Sequence, residues 1–159
     1  MKKLITLFIA FTLISCNDGD FDIPAFEFTN TVKSCGEYLL FVKNTESTEV
    51  LMLSLTNTQL GSTVGEKTYP ISTTLKVTYR IFDEKITDTY FCQAIPPATP
   101  LVLKELLGIE GTLVINTIAT ITNEVVTGYE YDISLKNLLF LDNNQRIYFE
   151  SMPFGTFKK

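Results

Sequence analysis

The feature of this sequence that most limits its fold is the alternation of apolar and polar side chains with a period of two. The alternation is clearest at 74–81, where the apolar residues are Leu75, Val77, Tyr79 and Ile81. Successive side chains of a β-strand point to opposite faces of the sheet, so this segment is predicted to be a strand with one face on a hydrophobic core. Short alternating segments bounded by turn residues are typical of an all-β fold.

The same pattern predicts about nine strands along the chain. Besides 75–81, the predicted strands are 26–32, 38–42, 50–55, 86–94, 112–122, 129–135, 138–141 and 146–150. Polar turns such as 142–145 join neighbouring segments, which favours antiparallel hairpins. We therefore predict an antiparallel two-sheet sandwich with Greek-key connections, in the immunoglobulin-like range. True immunoglobulin kinship is not supported, because the chain has no Trp to fill such a core.

Two stretches interrupt the strand pattern. Pro96, Pro97 and Pro100 remove donors from any strand ladder, which indicates a crossover between two sheets, with a domain boundary as the alternative. Residues 101–107 fit either a short helix or an edge strand, and Gly108 is expected to end that segment. The residues after the prolines would make a marginal unit on their own, so 26–159 is assigned to a single β-sandwich domain.

The first 15 residues differ from the rest and have the layout of a secretory signal. Two lysines near the start give a positive charge, and an apolar run of 11 residues follows at 4–14. That run is too short to remain in a bilayer as a spanning helix. The next residues, Leu-Ile-Ser-Cys at 13–16, resemble the lipobox of bacterial lipoproteins, in which the cysteine receives a diacylglycerol before the chain is cut.

The lipobox resemblance implies a signal peptide at 1–15 and Cys16 as a lipidated mature N-terminus, with acyl chains such as palmitate as the membrane contact. The alternative is an ordinary cleaved signal in which Cys16 is incidental. Polar and acidic residues at 17–22 predict a tether over 16–25. This tether is similar to the acidic stretch in surface-exposed lipoproteins of the Bacteroidota.

The whole chain resembles small outer-membrane lipoproteins of unassigned function from flavobacteria. That resemblance implies a cell-envelope protein, lipid-anchored at the outer membrane and exposed at the surface, and it implies no activity. Removal of the leader also changes the net charge of the chain. The 13 basic residues fall to 11 without the two leader lysines, against 18 acidic ones, so the mature part carries a net charge of about −7. An acidic body without a basic stripe argues against nucleic-acid binding.

Lipidation of Cys16 leaves Cys35 and Cys92 as a pair. In an oxidising compartment such a pair is a natural disulfide candidate. Closing a loop of this length would stabilise the fold by about 4 kcal/mol in the chain-entropy model. The alternative is two unpaired, buried thiols, because sequence alone does not place the two Cα atoms within bonding range.

Residues that carry catalysis are scarce, which predicts a protein that is not an enzyme and needs no cofactor. The chain has no His, which excludes the usual general base, His-dependent triads and most zinc sites. The acids of the last third, Glu124, Glu130, Asp132 and Asp142, are predicted to be solvated side chains. Asp residues alternate at 18–22 as in a calcium loop, but the glycine and glutamate that such a loop needs are missing, so no metal site is predicted.

Aromatic residues make up 12% of the chain and provide the only candidate ligand platform. Tyr129, Tyr131 and Tyr148 are the weak candidates for stacking on a sugar, and packing in the core is the main alternative. Two functions follow. The first is a non-enzymatic interaction or structural module that binds another envelope protein through a sheet edge or face. The second is a module that binds a glycan or another extracellular polymer. An exposed row of aromatic side chains would favour the glycan-binding module. An open strand edge or an apolar patch would favour the interaction module.

Overall fold

The structure is a computed structural model, and it describes residues 26–95 and 97–159. The predicted signal peptide at 1–15, the tether at 16–25 and the lipidation of Cys16 fall outside the described residues and stay predictions.

The described residues form eight β-strands and one short 3₁₀ helix. The strands are β1 (Lys33–Cys35), β2 (Leu39–Lys43), β3 (Glu49–Ser54), β4 (Gly65–Pro70), β5 (Lys76–Phe82), β6 (Val102–Thr122), β7 (Val125–Asp142) and β8 (Gln145–Lys158). The 3₁₀ helix, Tyr90–Cys92, lies between β5 and β6. Within 26–95 and 97–159, no helix has the length and hydropathy needed to cross a bilayer.

The strands pair antiparallel along the path β1-β2-β3-β5-β6-β7-β8, and β4 pairs with β6 beside this path. The long strand β6 connects the two parts of the sheet. It pairs with β5 up to Leu107 and with β4 from Thr112 to Thr117, while β7 runs along its other side. Register shifts between Gly108 and Thr112 mark bulges at the change of neighbour. Such bulges bend a strand, which lets β6 serve both parts of the sheet.

The sheet curls until the two ends of its strand path meet. Thr31, just before β1, forms a bridge with Thr156 of β8. Gly155 has a φ of +126°, and a Cβ added there would lie 2.9 Å from the carbonyl oxygen of Asn30. A residue with a side chain would be strained at this φ and would clash with Asn30. Gly155 therefore allows the chain before β1 to lie directly against β8.

The main hydrophobic core lies on the inner face of the curled sheet. Strands β2, β3, β5, β6, β7 and β8 all contribute to it, and Tyr79, Tyr131, Phe140 and Phe154 are its largest side chains exposed by less than 2%. Val77 and Tyr79 point into this core, so the alternation that predicted a strand at 75–81 is confirmed.

A second, smaller core lies on the outer face of β2, β3 and β5. Phe41 and Phe82 point outward there, and Ile86 and Tyr90 from the segment after β5 cover them. Residues 83–95 are called the covering segment below. They bury part of the outer face, which in a one-layer sheet would otherwise be exposed.

The predicted all-β, antiparallel class is confirmed, with eight strands in one curled sheet instead of about nine. The immunoglobulin-like, two-sheet sandwich with Greek-key connections is not confirmed. Segments 129–135 and 138–141 belong to one strand, β7, and 146–150 is the first part of β8. Strand β4 was not predicted, because most of its side chains are exposed and show no alternation.

The predicted strand at 86–94 is wrong. Its apolar residues are buried by lying across the outer face of the sheet, and the segment turns through the 3₁₀ helix. The chain then passes Pro97 and Pro100 to reach β6 of the same sheet, whereas a crossover to a second sheet was expected.

Of the two alternatives for 101–107, the strand is correct, since β6 begins at Val102. The expected end at Gly108 is wrong. A bulge absorbs the extra residue there, and Gly111 adopts a φ of +138° that a glycine allows, so β6 continues.

Candidate interaction surfaces

The three tyrosines predicted as ligand-binding candidates do not form one surface. Tyr131 is 1% exposed, and its hydroxyl donates one hydrogen bond shared between the carbonyl oxygens of Leu60 and Gly61, at 3.1 and 3.3 Å. Burial raises the pKa of this hydroxyl. Tyr129 lies beside it with the ring planes 40° apart, and Tyr148 is 57% exposed on the opposite face of the sheet. The three rings therefore form no coplanar platform for a sugar.

The four acids of the last third are not brought together either. Glu130 and Asp142 each form an ion pair with a lysine, at 2.9 and 2.5 Å. Glu124 is exposed in the turn between β6 and β7, and Asp132 is exposed on the outer face. Across the described part of the chain, no three His, Cys, Asp or Glu residues are grouped so that they could hold a metal ion.

A disulfide joins Cys35, at the end of β1, to Cys92 in the covering segment, with the Cα atoms 4.9 Å apart. This agrees with the pairing predicted from the sequence, and not with the alternative of two unpaired thiols. The bond fixes the covering segment to the strand at one edge of the sheet.

An ion-pair cluster also fixes the covering segment to β1 and β2. The carboxylate of Asp88 contacts the ammonium groups of Lys43 and Lys33, at 2.6 and 3.0 Å. Hydrogen bonds from Lys43 and then Lys33 lower the pKa of Asp88. Because the pKa of Asp88 is lower in the folded protein than in the unfolded chain, these ion pairs stabilise the fold at pH values above the unfolded pKa. That stabilisation is lost as the pH falls through the folded pKa.

The far end of the β6–β7 hairpin, residues 118–128, extends past the core and is called the ribbon below. Every side chain from 120 to 127 is exposed. The exposed apolar residues are Ile118 at 47%, Ile121 at 63%, Val125 at 63% and Val126 at 48%. Glu124 is the only charged residue in this stretch of sequence. A two-stranded ribbon of β-branched residues with no core beneath it is a candidate for contact with another molecule.

Both edges of the ribbon lack a strand partner within the described residues, and the β6 edge at 118–122 is the longer one. The last pair between β4 and β6 joins Gly65 to Thr117. Beyond that pair, none of the described strands pairs with 118–122 on the side away from β7. Strand β4 carries Lys67 and ends at Pro70, and both residue types discourage pairing at an edge. Residues 118–122 have no lysine or proline, so their edge can accept an extended strand.

A second exposed surface lies on the outer face of β6, β7 and β8, at the other end of the hairpin. It consists of Leu103 at 66%, Leu107 at 52%, Ile109 at 45%, Leu141 at 42% and Tyr148 at 57% exposed, and is called the apolar patch below. Single exposed apolar residues are ordinary, but a group of them on one sheet face marks a contact surface.

The apolar patch continues the row of residues that forms the second core. Leu107 pairs with Thr78 of β5, and Thr78 pairs with Met52, which the covering segment buries. The covering segment therefore shields the outer face over β3 and β5, and the apolar side chains of β6 beside it stay bare. An open depression of about 690 Å³ lies along Leu107 and Ile109.

Comparison with protein-family models, curated proteins and solved structures finds no match to this chain. Function is therefore inferred from the sequence, the ribbon and the apolar patch.

Sequence reasoning did not single out the ribbon or the patch. The available signal for the ribbon was a run rich in Ile, Val and Thr with one charge in eleven residues at 118–128. For the patch it was the consecutive Leu101, Val102 and Leu103, which place apolar side chains on both faces of a strand.

Proposed function

We propose that this protein is a lipid-anchored protein of the cell envelope that binds an extended segment of another envelope protein along the open edge of β6. The observation that carries the binding role is the unprotected edge at 118–122, which lies next to a β4 edge that carries Lys67 and Pro70. The leader and the lipobox-like residues at 13–16 support the anchor.

Strand addition explains why the ribbon has its composition. An added strand receives main-chain hydrogen bonds from the edge, and side chains on alternate positions supply the specificity. Ile118 and Ile121 would then contact the partner's side chains. The absence of His and the separation of the four acids favour binding over catalysis. The positions of the three tyrosines favour a protein partner over a glycan.

Replacing Ile121 with lysine is expected to weaken partner binding by about tenfold or more, because the change removes apolar contact area and adds a charge to the pairing edge. The measurement uses a photo-crosslinking amino acid at Thr120 in intact cells. It compares the yield of the crosslinked partner between the unchanged ribbon and the Ile121→Lys variant. The unfolding temperature should stay nearly constant, since Ile121 is 63% exposed.

Ile95→Lys is the matched control, because Ile95 is 81% exposed in the covering segment and lies outside the ribbon. It should leave the crosslink yield unchanged. Hydrogen exchange of the 118–122 amides should slow when the purified partner is bound, as strand pairing requires. Equal yields from both lysine variants, or unchanged exchange at 118–122 in the complex, would refute strand addition at this edge.

A further inference from the structure

The chain enters the described fold at a well-packed point. The Phe26 ring stacks on Tyr79 with centroids 4.3 Å apart, and lies 5.7 Å from Phe140 and 4.7 Å from Phe149. Only 8% of Phe26 is exposed. The described chain therefore begins beside the ends of β7 and β8 that carry these two phenylalanines.

The apolar patch lies at this same end of the molecule. Leu141 directly follows Phe140, and Tyr148 directly precedes Phe149. Neighbouring residues of a strand point to opposite faces, so the phenylalanines hold Phe26 on the inner face while Leu141 and Tyr148 lie on the outer one. The patch is thus separated from the start of the fold by the thickness of one sheet.

The length of chain before Phe26 limits how far the patch can be from a lipid anchor. Cys16 precedes Phe26 by ten residues, and a fully extended chain spans at most about 3.6 Å per residue, or about 36 Å. A bilayer that holds acyl chains on Cys16 is therefore always within this distance of Phe26. A surface tethered so closely meets lipid at a high effective concentration.

We infer that the apolar patch docks on the bilayer that holds the Cys16 lipid, so that the domain contacts the membrane through protein as well as through acyl chains. This inference rests on the proposed lipid anchor. Amphipathic surfaces bury apolar side chains about 5–10 Å into the boundary between headgroups and acyl chains. Tyr is favoured at this boundary, and Arg146, paired with Leu141 across β7 and β8, places a cation beside lipid phosphates.

A second copy of the chain is the competing occupant of the patch. Each mature copy carries a net charge of about −7, so two copies repel each other, whereas the tether keeps lipid close at all times. Docking on lipid at the patch also leaves the ribbon free, because Leu107 and Ile121 are separated along β6 by about 46 Å of strand.

The absence of Trp from the sequence gives a direct test. Full-length lipidated protein with Leu141→Trp is reconstituted in phosphatidylcholine vesicles with or without brominated acyl chains. The emission is expected to shift to shorter wavelength and to lose roughly half its intensity to the bromines. Leu107→Trp, at a second patch position, should behave in the same way. Asp132→Trp is the matched control on the same strand and face, and should show neither effect.

Flotation of the same vesicles separates this test from that of the anchor. Floating protein that is quenched at positions 141 and 107 but not at 132 supports docking. Floating protein without quenching at either patch position overturns docking and leaves the anchor intact. A blue shift that grows with protein density and is insensitive to bromine also overturns it, in favour of a second copy. Protein that does not float lacks the anchor, which overturns both the proposed anchor and the docking of the patch.

Discussion

Replacing Cys16 with serine is expected to reduce incorporation of labelled palmitate to background. A serine hydroxyl cannot form the thioether that the lipobox resemblance implies, so no acyl chains are added. Because several chains at roughly 0.8 kcal/mol per buried methylene hold a lipoprotein firmly, their loss removes the protein's own membrane anchor. The measurement is metabolic labelling with palmitate, followed by phase separation in detergent, in which the unchanged protein should enter the detergent phase.

Cys35→Ser and Cys92→Ser are the controls for this experiment. Both cysteines lie within the folded domain and outside the lipobox-like residues, so both variants should still be labelled. The Cys16→Ser product is expected to keep its leader or to leave the membrane fraction. Normal labelling and membrane retention of Cys16→Ser would be incompatible with an anchor at this residue.

Removing the disulfide is expected to lower the free energy of unfolding by about 4 kcal/mol. The bond joins residues separated by 57 positions, and the chain-entropy model assigns a large stabilisation to a loop of this length. The loss of stability should be largest in the covering segment, because Cys92 is the covalent link between this segment and β1. Chemical denaturation of the Cys35→Ala, Cys92→Ala double variant measures the difference.

Reduced, otherwise unchanged protein is the matched comparison for the double variant, and the two should unfold at similar denaturant concentrations. Hydrogen exchange should accelerate first around Ile86 and Tyr90, which cover the second core. Unfolding free energies that differ by less than about 1 kcal/mol between the oxidised protein and the double variant would contradict this role.

The inner face of the sheet could be predicted from the sequence, because one physical rule governs it. Val77, Tyr79, Ile133 and Leu135 all lie on inward positions of their strands, as alternation requires when one face meets a core. The turn after Thr122 was also predictable, since the asparagine and glutamate there adopt positive φ values in a tight connection.

The covering segment and β4 could not be predicted by the same rule. Ile86 and Tyr90 are buried across the face of a sheet, so their spacing does not follow the strand period. Strand β4 has few buried side chains, and only its pairing with β6 makes it a strand. Both elements depend on contacts between distant parts of the chain, which local pattern does not encode.

The candidate surfaces were not predicted from the sequence for a related reason. Ile121 and Leu107 have the residue types and the spacing of core positions, and they differ from buried Ile115 only in what lies over them. Ile121 is exposed because β4 ends before it, and Leu107 is exposed because the covering segment does not extend over β6. The anchor is the opposite case, since the residues at 13–16 carry the whole signal in the sequence itself.

The proposed anchor and the docking of the apolar patch both depend on a lipid bound covalently to Cys16, and mass spectrometry of the N-terminal peptide of the protein purified from its own membranes tests this directly. The expected result is a peptide that begins at Cys16 and carries the added mass of acyl chains. A peptide that begins at Met1, or one with an unmodified Cys16 thiol, would contradict it.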